Sequence, residues 1–315
     1  MVAHVTECPD GGAGGSANAD RFSGFADLYD ANRPTAPEVL GPLLAAYAGA
    51  ATPRVVDLGS GTGLSSRWAA SWASEVIGVE PNADMRARAE ARPTSGVRYR
   101  EGTSSDTRLP VASADVVLAV QAMHWMEPDS TLREVARILR PGGVFAVLDA
   151  DWPPVTGIAE AETAWQVFHR RVRVFEARAA RGEVGDRLRA RIADDDPSLV
   201  DDDLRDPHRN REMPGGARSW SKAEHLERIQ QSGHFSFARE LVFNQPSGGG
   251  ADRFVSLMRS QGSYQALRRL GLTDDELGAT EFEHHVGRAY AQADRPWPDL
   301  SFSWRVRIGR TPDHR

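Results

Sequence analysis

An aspartate stands directly before a glycine-rich turn in the first half of the chain. The aspartate is Asp57, and the turn consists of the small residues Gly59, Ser60, Gly61, Thr62 and Gly63. Glycines in such a turn let the backbone approach a ligand closely, because they carry no side chain. Leu64 stands where a dinucleotide fingerprint of the form G-x-G-x-x-G has its third glycine, so the spacing is wrong for a typical NAD site. The carboxylate of Asp57 would also receive an ammonium group more readily than a phosphate.

A second carboxylate, Glu80, follows Gly61 by 19 residues. It ends a β-branched segment, where an acidic side chain can accept hydrogen bonds from the two hydroxyl groups of a ribose. Strand, turn, helix and terminal acid therefore occur in the order that open α/β sheets use to bind nucleoside-containing cofactors. This order favours a cofactor site over a merely tight connection.

The elements that must position these residues alternate between strand and helix from about 36 to 150. Predicted strands are Arg54–Leu58, Val76–Glu80, Val97–Glu101, Ala114–Val120 and Val144–Asp149. Helices lie between them, one capped by Asn82 and running to Arg92, and one stopped by Pro141-Gly142-Gly143. Such alternation implies a parallel sheet with helices on both faces. Two later segments, Phe235–Phe243 and Phe302–Ile308, are predicted to complete it.

The second half of the chain predicts a helical cover. Apolar residues at spacings of three and four indicate a long amphipathic helix; they are Trp165, Phe168, Val172, Phe175 and Ala179. The predicted fold is α/β and doubly wound, Rossmann-like, with a mostly parallel seven-stranded sheet and a helical lid insertion. Expected boundaries are a flexible tail at 1–20, a core with an N-terminal arm at 21–150, a lid with an acidic loop at 151–220, and a C-terminal part at 221–315. The lid stripe could instead form the interface of a homodimer.

Composition limits the classes of function. The 315 residues carry a formal net charge of -6, a single cysteine, Cys8, and a single lysine, Lys222. One cysteine excludes an intramolecular disulfide or a cysteine-rich zinc site. The acidic balance argues against a dedicated nucleic-acid partner, although the arginine-rich stretch at 170–191 leaves that alternative open; the glutamates interleaved with it suggest surface ion pairs instead. No apolar run approaches the roughly 20 residues needed to span a bilayer, so a cytoplasmic protein without membrane contact is expected.

The stretch Asp57-Leu58-Gly59-Ser60-Gly61-Thr62-Gly63 is similar to the first motif of the class I S-adenosylmethionine-dependent methyltransferases. The resemblance extends from about Phe22 to Leu148. Two further segments, Phe22 to Pro34 and Gln121-Ala122-Met123-His124-Trp125, resemble the trans-aconitate-methyltransferase-like branch, which acts on small molecules. The family's adenine-contacting loop often has an acid at the position of Ser105, and Asp106 is a substitute. The resemblance implies that the cofactor is bound by Tyr29, Arg33, Asp57, Gly59, Ser60, Gly61, Gly63, Glu80, Pro81, Ser104, Ser105, Asp106 and Gln121.

The chemistry of methyl transfer requires an acceptor held close to the methyl carbon and protected from water. His124 can serve as a general base or orient the substrate, and a buried structural histidine is a third interpretation. Candidate substrate-binding residues are Trp125, Asp149, Asp151 and Tyr264. The aspartate pair could instead hold a divalent ion, but no third ligand is evident and no metal is expected. Tyr29 and Trp125 could also face the cationic sulfur of the cofactor.

The function expected from these residues and the resemblance is methylation of a small-molecule acceptor. S-adenosyl-L-methionine would be the cofactor and S-adenosyl-L-homocysteine the product, with oxygen favoured as the acceptor atom and nitrogen or carbon open. A role in bacterial specialised metabolism is expected. Two alternatives remain: a protein of the same fold that binds the cofactor without methylating, as a cyclase-type catalyst or a regulator, and a nicotinamide-dependent reductase.

Overall fold

The computed structural model describes residues 32–180, Gly182, 211–212, 218–294 and 300–314. The strands are β1 Arg54–Leu58, β2 Glu75–Val79, β3 Val97–Arg100, β4 Ala114–Val120, β5 Leu139–Ala150, β6 Arg211–Glu212, β7 Arg218–Ser219, β8 Phe237–Ser247 and β9 Leu300–Arg310. The helices are α1 Leu40–Ala48, α2 Leu64–Ala69, α3 Ala83–Glu90, α4 Pro128–Ile138, α5 Ala159–Ala180, α6 His225–Gln231, α7 Gly250–Arg259, α8 Gly262–Arg269, α9 Asp274–Leu277 and α10 Ala279–Gln292. Tyr29, the tail at 1–20 and the aspartate runs of the acidic loop lie outside the described residues.

Seven strands form one sheet in the order β3-β2-β1-β4-β5-β9-β8. Strands β1 to β5 are parallel to one another, while β9 is antiparallel to both β5 and β8. The reversal of strand order beside β1 creates a crevice at the carboxyl ends of β1 and β4, where ligands bind in open α/β sheets. The predicted Rossmann-like, mostly parallel seven-stranded sheet is confirmed.

The sheet is covered on both faces because its central strands are apolar on both faces. In β1, Val55 belongs to one buried cluster and Val56 to the other. The cluster containing Val55 includes α1, α5 and α7 to α10, whereas the cluster containing Val56 includes α4 and α6. This arrangement follows from strands that read as continuous apolar runs.

The long amphipathic helix predicted from the aromatic stripe is α5. Its stripe residues Trp165 and Phe168 are buried against aromatic side chains of α7, α8 and α10. Trp165 also stacks on Trp152, which follows β5. These contacts join the helices to the same apolar cluster as one face of the sheet. No described helix combines the length and the apolar character that a membrane crossing requires.

The helix before β5 ends earlier than predicted. It was expected to stop at Pro141-Gly142-Gly143, but α4 ends at Ile138 and Leu139 is already extended, with φ -70° and ψ 138°. Leu139 pairs with Ala114 of β4, so this residue belongs to strand β5 rather than to the helix. Pro141 also disfavours helical backbone at the residue before it.

Three other boundaries differ from the prediction. The sequence predicts a helix that carries Leu64, Trp68 and Trp72, but α2 ends at Ala69, and Trp72 lies beyond it with its ring packed edge-on against Trp68. Ser221 is predicted to cap a helix that runs to Gln231, but it precedes a 3-10 turn at Lys222–Glu224 without a side-chain cap bond, and the α-helix begins only at His225. The segment 194–216, predicted as a loop, contains β6, which pairs with β7.

Candidate active site

The glycine-rich turn connects β1 to α2 and uses left-handed backbone at all three glycines. The φ angles are 65° at Gly59, 54° at Gly61 and 84° at Gly63, values that L side chains rarely adopt. At Gly59 a Cβ atom would also lie 2.9 Å from the Cβ of Ala122. The backbone N–H of Gly59 donates to the carbonyl of Val79 at 2.9 Å. The turn is therefore held against the end of β2, and Gly59 and Gly63 have no room for a side chain.

Asp57 is fully buried at the start of this turn. Its Oδ2 accepts hydrogen bonds from Ser65 Oγ at 2.7 Å and Ser66 Oγ at 2.6 Å. Its Oδ1 is buried and has no hydrogen-bond partner among the described residues. Burial raises the pKa of Asp57 from 3.8 to about 6, against the lowering effect of the two serines. The site thus holds a fixed carboxylate with one oxygen available to a cationic ligand.

Glu80 is buried directly after β2, where it supports the turn. Its Oε2 accepts from the backbone N–H of Gly61 and its Oε1 from that of Asn82, both at 2.9 Å. Burial raises the pKa of Glu80, opposed by these two hydrogen bonds. Asn82 caps α3 by accepting from the N–H of Met85. Each carboxylate oxygen has a second acceptor position, so Glu80 can also bind hydroxyl groups.

The loop predicted to contact adenine follows β3. Ser104 accepts a hydrogen bond from Thr131 Oγ1 at 2.8 Å, whereas Ser105 and Asp106 are exposed. Asp106 accepts from the N–H of Arg108 at 3.2 Å. Pro81 is exposed beside Glu80. These residues lie after β2 and β3, at the carboxyl ends of neighbouring strands.

The segment after β4 brings Gln121, His124 and Trp125 to the carboxyl end of the sheet. Gln121 has a positive φ of 53°, and its Oε1 accepts from Lys222 Nζ at 2.8 Å. His124 and Trp125 lie in a 3-10 turn with their ring centroids 4.8 Å apart. Burial, followed by the nearby Lys222 ammonium, holds the pKa of His124 well below 6.5. His124 is therefore a neutral imidazole at neutral pH.

Asp149, near the end of β5, is the centre of a buried charge cluster. Its carboxylate lies 2.9 Å from Lys222 Nζ, 3.0 Å from Arg307 Nη1 and 3.7 Å from His124 Nδ1. His225 Nε2 is 3.9 Å away. Burial opposes ionisation of Asp149, but the cations, Lys222 first among them, hold the pKa of its carboxyl well below its usual range. Among the described residues, no group of three or more His, Cys, Asp or Glu side chains is suited to a metal ion.

The remaining candidates pair with other residues. Asp151 is partly exposed and ion-paired with Arg305 at 2.9 Å. Tyr264 is buried in the helical layer, where its hydroxyl donates to Asp274 at 2.8 Å. Arg33 stacks over the ring of Trp152 at 4.8 Å and donates to the carbonyl of Ser260 at 3.5 Å. The structure thus joins Arg33 to the helical layer, and it pairs Asp151 with Arg305 and Tyr264 with Asp274.

Comparison with known proteins identifies the central part of the chain. Residues 56–147 match a family model described as a methyltransferase domain. The chain contains a class I S-adenosylmethionine-dependent methyltransferase domain. The matched residues include the glycine-rich turn, Glu80 and His124. The resemblance to the trans-aconitate-methyltransferase-like branch stays a prediction.

Relatives of the methyltransferase domain are similar over part of their length. An uncharacterised methyltransferase of Mycobacterium tuberculosis is 37% identical over 123 residues, which are 39% of this chain and 49% of that protein. The ubiquinone/menaquinone biosynthesis C-methyltransferase UbiE of Rubrivivax gelatinosus is 33% identical over 100 residues, or 31% and 40% of the two chains. The chain therefore spans about half or less of the length of these relatives. A solved structure described as a type II methyltransferase from Anaeromyxobacter dehalogenans covers 90% of this chain and 99% of its own, with a TM-score of 0.53 and 24% identity, which shows the fold.

S-adenosylmethionine is the cofactor of this methyltransferase family, and the residues present fit it. The unpartnered Oδ1 of Asp57 matches an ammonium group, and Glu80 retains acceptor capacity for ribose hydroxyls. The left-handed glycines between them leave the backbone bare. The methyltransferase domain therefore offers an acidic, closely fitting cradle at the carboxyl end of β1.

Three residues of the site were not found from the sequence: Lys222, His225 and Arg307. They come from segments far along the chain, and the charges of Lys222 and Arg307 meet Asp149 only through the sheet order β5-β9-β8 and the backbone bond from Trp220 N–H to the His124 carbonyl at 2.8 Å. One sequence signal existed for Lys222, which is the sole lysine among 38 basic residues. Neither His225 nor Arg307 carries a comparable signal.

Proposed function

We propose that the protein is an enzyme that transfers a methyl group from S-adenosylmethionine to a small-molecule acceptor, with oxygen as the methylated atom. The observation that carries the proposal is the buried Asp57 carboxylate with its unpartnered Oδ1, beside three left-handed glycines. A buried polar atom without a partner destabilises a protein unless a ligand satisfies it. The bound cofactor would supply an electrophilic methyl group on a sulfonium.

Asp57 and Glu80 would hold the two polar ends of the cofactor. Asp57 would accept from its ammonium group, and Glu80 from its ribose hydroxyls. Because Glu80 also accepts from the Gly61 N–H, its carboxylate ties the turn to the end of β2. Exclusion of water would strengthen both interactions, since charges attract more strongly at low dielectric.

His124 would remove the proton of an acceptor hydroxyl. Its ring is neutral at neutral pH and lies at the carboxyl end of β4, within 3.7 Å of Asp149. A neutral imidazole has a free acceptor nitrogen, which a general base requires. Among oxygen acceptors, which we propose, the base favours a hydroxyl group, since a carboxylate is already ionised and needs no base.

A small-molecule acceptor is supported by the relatives. UbiE of Rubrivivax gelatinosus is named for ubiquinone and menaquinone biosynthesis, so the same domain type serves a quinone-pathway acceptor in that protein. A place in bacterial specialised metabolism, a cytoplasmic location and a homodimer belong to the proposal on the sequence grounds given above. Nucleic acid is not proposed as a partner, since Arg171 and Arg173 of the basic helix α5 contact the Glu276 carbonyl and Glu176 of this same chain.

The proposal is tested by measuring which ligands bind the protein and by measuring the mass of the reaction product. We expect S-adenosylhomocysteine, but not NAD or NADP, to raise the melting temperature of the protein, because a ligand that binds only the native state stabilises it. Incubation with methyl-labelled S-adenosylmethionine and a panel of phenols, enols and carboxylic acids should yield a product heavier by one labelled methyl group. An isomeric product without the label would show a cyclase-type catalyst instead, and an NAD-selective shift would show a reductase.

His124→Ala separates the roles of the histidine. As a general base it would contribute about 10²- to 10⁴-fold to kcat, so we expect a loss in that range with unchanged S-adenosylhomocysteine affinity. Turnover within a few-fold of wild type would remove the general-base assignment. Wild-type kcat should stay level as pH falls through 6.5, since the pKa of His124 lies well below that value.

A further inference from the structure

Lys222 is placed beside the acceptor end of the site by the backbone of a remote segment. The N–H of Trp220 donates to the carbonyl of His124 at 2.8 Å, which anchors the segment that contains Lys222 on the turn after β4. Lys222 then begins a 3-10 turn, and its side chain remains 34% exposed. The backbone near the sole lysine is thus fixed in place, while the lysine side chain is partly open to solvent.

The Lys222 ammonium has a donor that its neighbours do not use. An ammonium carries three N–H donors. One of them is donated to Gln121 Oε1 at 2.8 Å, and the ammonium also forms an ion pair with Asp149 Oδ1 at 2.9 Å; these are its partners among the described residues. At least one N–H is therefore available to a ligand oxygen.

The charges around Lys222 favour an anion rather than a cation. The Asp149 carboxylate is shared between Lys222 and Arg307, and Arg307 also pairs with Glu240 at 2.6 Å. Arg305 forms ion pairs with both Asp151 and Glu240. The carboxylates of Asp149, Asp151 and Glu240 are therefore each paired with a lysine or arginine side chain of this protein.

Two arginines add positive charge near His124 and His225. Arg33 lies close enough to His124 to lower its pKa, and Arg228 does the same for His225. Burial and these cations keep both imidazoles neutral, since the pKa of His225 is lowered to about 4. The groups facing His124 are thus one shared carboxylate and an excess of cations.

We infer that Lys222 binds the ionised oxygen of the methyl acceptor, and that the acceptor is an acidic hydroxyl compound of the phenol or enol class. This inference rests on the proposed function and names the acceptor class for the same site. A cation within about 4 Å lowers the pKa of a hydroxyl by about 1–3 units. The proton of the hydroxyl passes to the neutral His124 imidazole, and the ammonium holds the remaining oxyanion. Lys222, from the 3-10 turn before α6, and His124, from the 3-10 turn after β4, would then act on the same oxygen.

The test uses 4-nitrophenol, a phenol that ionises near neutral pH with a visible colour change, in the presence of saturating S-adenosylhomocysteine. For the wild-type protein we expect the ionisation midpoint of the bound probe to fall by about one pH unit or more. Lys222→Arg should retain the shift, and Lys222→Met should abolish it. Arg98→Met is the matched control, because Arg98 is an exposed cation on β3, at the far edge of the sheet, and its loss should leave the shift unchanged.

A second variant guards against misfolding. Lys222→Met leaves Asp149 without one of its cations, so the double variant Asp149→Asn, Lys222→Met removes both charges together, and it should also lack the shift. Circular dichroism and S-adenosylhomocysteine titration of each variant report whether it is folded. A shift that persists in a folded Lys222→Met or double variant overturns the inference.

Competition distinguishes an anion site from a merely apolar pocket. Benzoate should displace 4-nitrophenolate from the wild type, and benzamide should not. Equal displacement by the two compounds, binding of the protonated probe alone, or no binding of the probe would each overturn the inference. S-adenosylhomocysteine titration of the same samples without the probe tests the proposed function separately, so failure of either one is visible without the other.

Discussion

The buried Asp57 carboxylate favours ligand binding but lowers the stability of the ligand-free protein. It is buried among its serine partners with one oxygen unsatisfied, and its pKa is raised to about 6. The folded protein therefore holds a proton on Asp57 more tightly than the unfolded chain does. Stability contributed by the protonated form is present at low pH and is lost as pH rises from about 4 through about 6.

Asp57→Asn should stabilise the ligand-free protein at pH 8 by about 1–3 kcal/mol, because it removes a buried charge; the interval from 3.8 to about 6 corresponds to about 3 kcal/mol. The gain should shrink at pH 5, where wild-type Asp57 is protonated. Urea unfolding at the two pH values measures both effects. The same variant should bind S-adenosylhomocysteine at least about tenfold more weakly by calorimetry, through loss of a charge-assisted hydrogen bond.

Asp129→Asn is the control for this prediction, since Asp129 is an exposed aspartate in the first turn of α4. It should change stability by less than about 1 kcal/mol and leave ligand affinity intact. A destabilised Asp57→Asn protein at pH 8 would contradict the proposed balance.

Sequence reasoning could place Asp57 and Glu80 because the glycine pattern and the strand ends are local signals. It could not place Lys222, whose neighbours Gln121 and Asp149 are 101 and 73 residues away along the chain. It assigned Asp149 to substrate, which stays a prediction, and it did not find the two cations that the structure pairs with that carboxylate. Such pairing depends on strand order, and no spacing within the sequence encodes it.

The turn between β1 and α2 depends on backbone that only glycine adopts without strain. Gly63→Ala would force an alanine to a φ of 84° and place its Cβ against the hydroxyl of Tyr99. We expect a loss of about 2–4 kcal/mol in folding free energy, about 1 from the backbone and the rest from overpacking. Affinity for S-adenosylhomocysteine should fall as the cradle shifts.

Gly49→Ala offers a matched comparison in denaturant unfolding. Gly49 ends α1 with a nearly equal φ of 63°, but nothing lies within 4 Å of its missing Cβ. It should cost only the backbone share, about 1 kcal/mol, and leave ligand binding unchanged. Equal losses in the two variants would show that crowding at Gly63 contributes nothing.

Helix α5 owes its position to one apolar stripe. Trp165→Ala should lower the free energy of unfolding by about 3–5 kcal/mol, because its ring is 2% exposed among aromatic neighbours. Val167→Ala, two residues away on the exposed face, should cost less than about 0.5 kcal/mol. Thermal unfolding of the pair measures both. Similar melting temperatures would contradict the packing described for α5.

The whole sheet depends on residues 300–310. Strand β9 lies between β5 and β8 and supplies Arg307 to Asp149. A chain ending after Asp294 should therefore lose cooperative unfolding and near-ultraviolet circular dichroism, while one ending after Asp313 should keep both. Native-like spectra from the shorter chain would show that β9 is dispensable.

The architecture was more predictable than the detailed connections. Apolar runs and glycine turns identified all seven strands of the sheet, most within two residues, because burial on both faces leaves a strong pattern. The end of α4 was wrong because pairing of Leu139 with Ala114 overrides helical periodicity. The neighbours of β9 could not be assigned, since antiparallel insertion between two strands has no local signature.

The internal place of β9 also governs the order in which the protein can be made. During synthesis, Asp149 leaves the ribosome 158 residues before Arg307 does. Until residue 310 has emerged, the nascent sheet ends in an open β5 edge, and the acceptor side of the site lacks the guanidinium that later neutralises its buried carboxylate. Translation would thus complete the cofactor cradle first and the acceptor side later, which would delay any turnover until β9 has emerged and paired with β5.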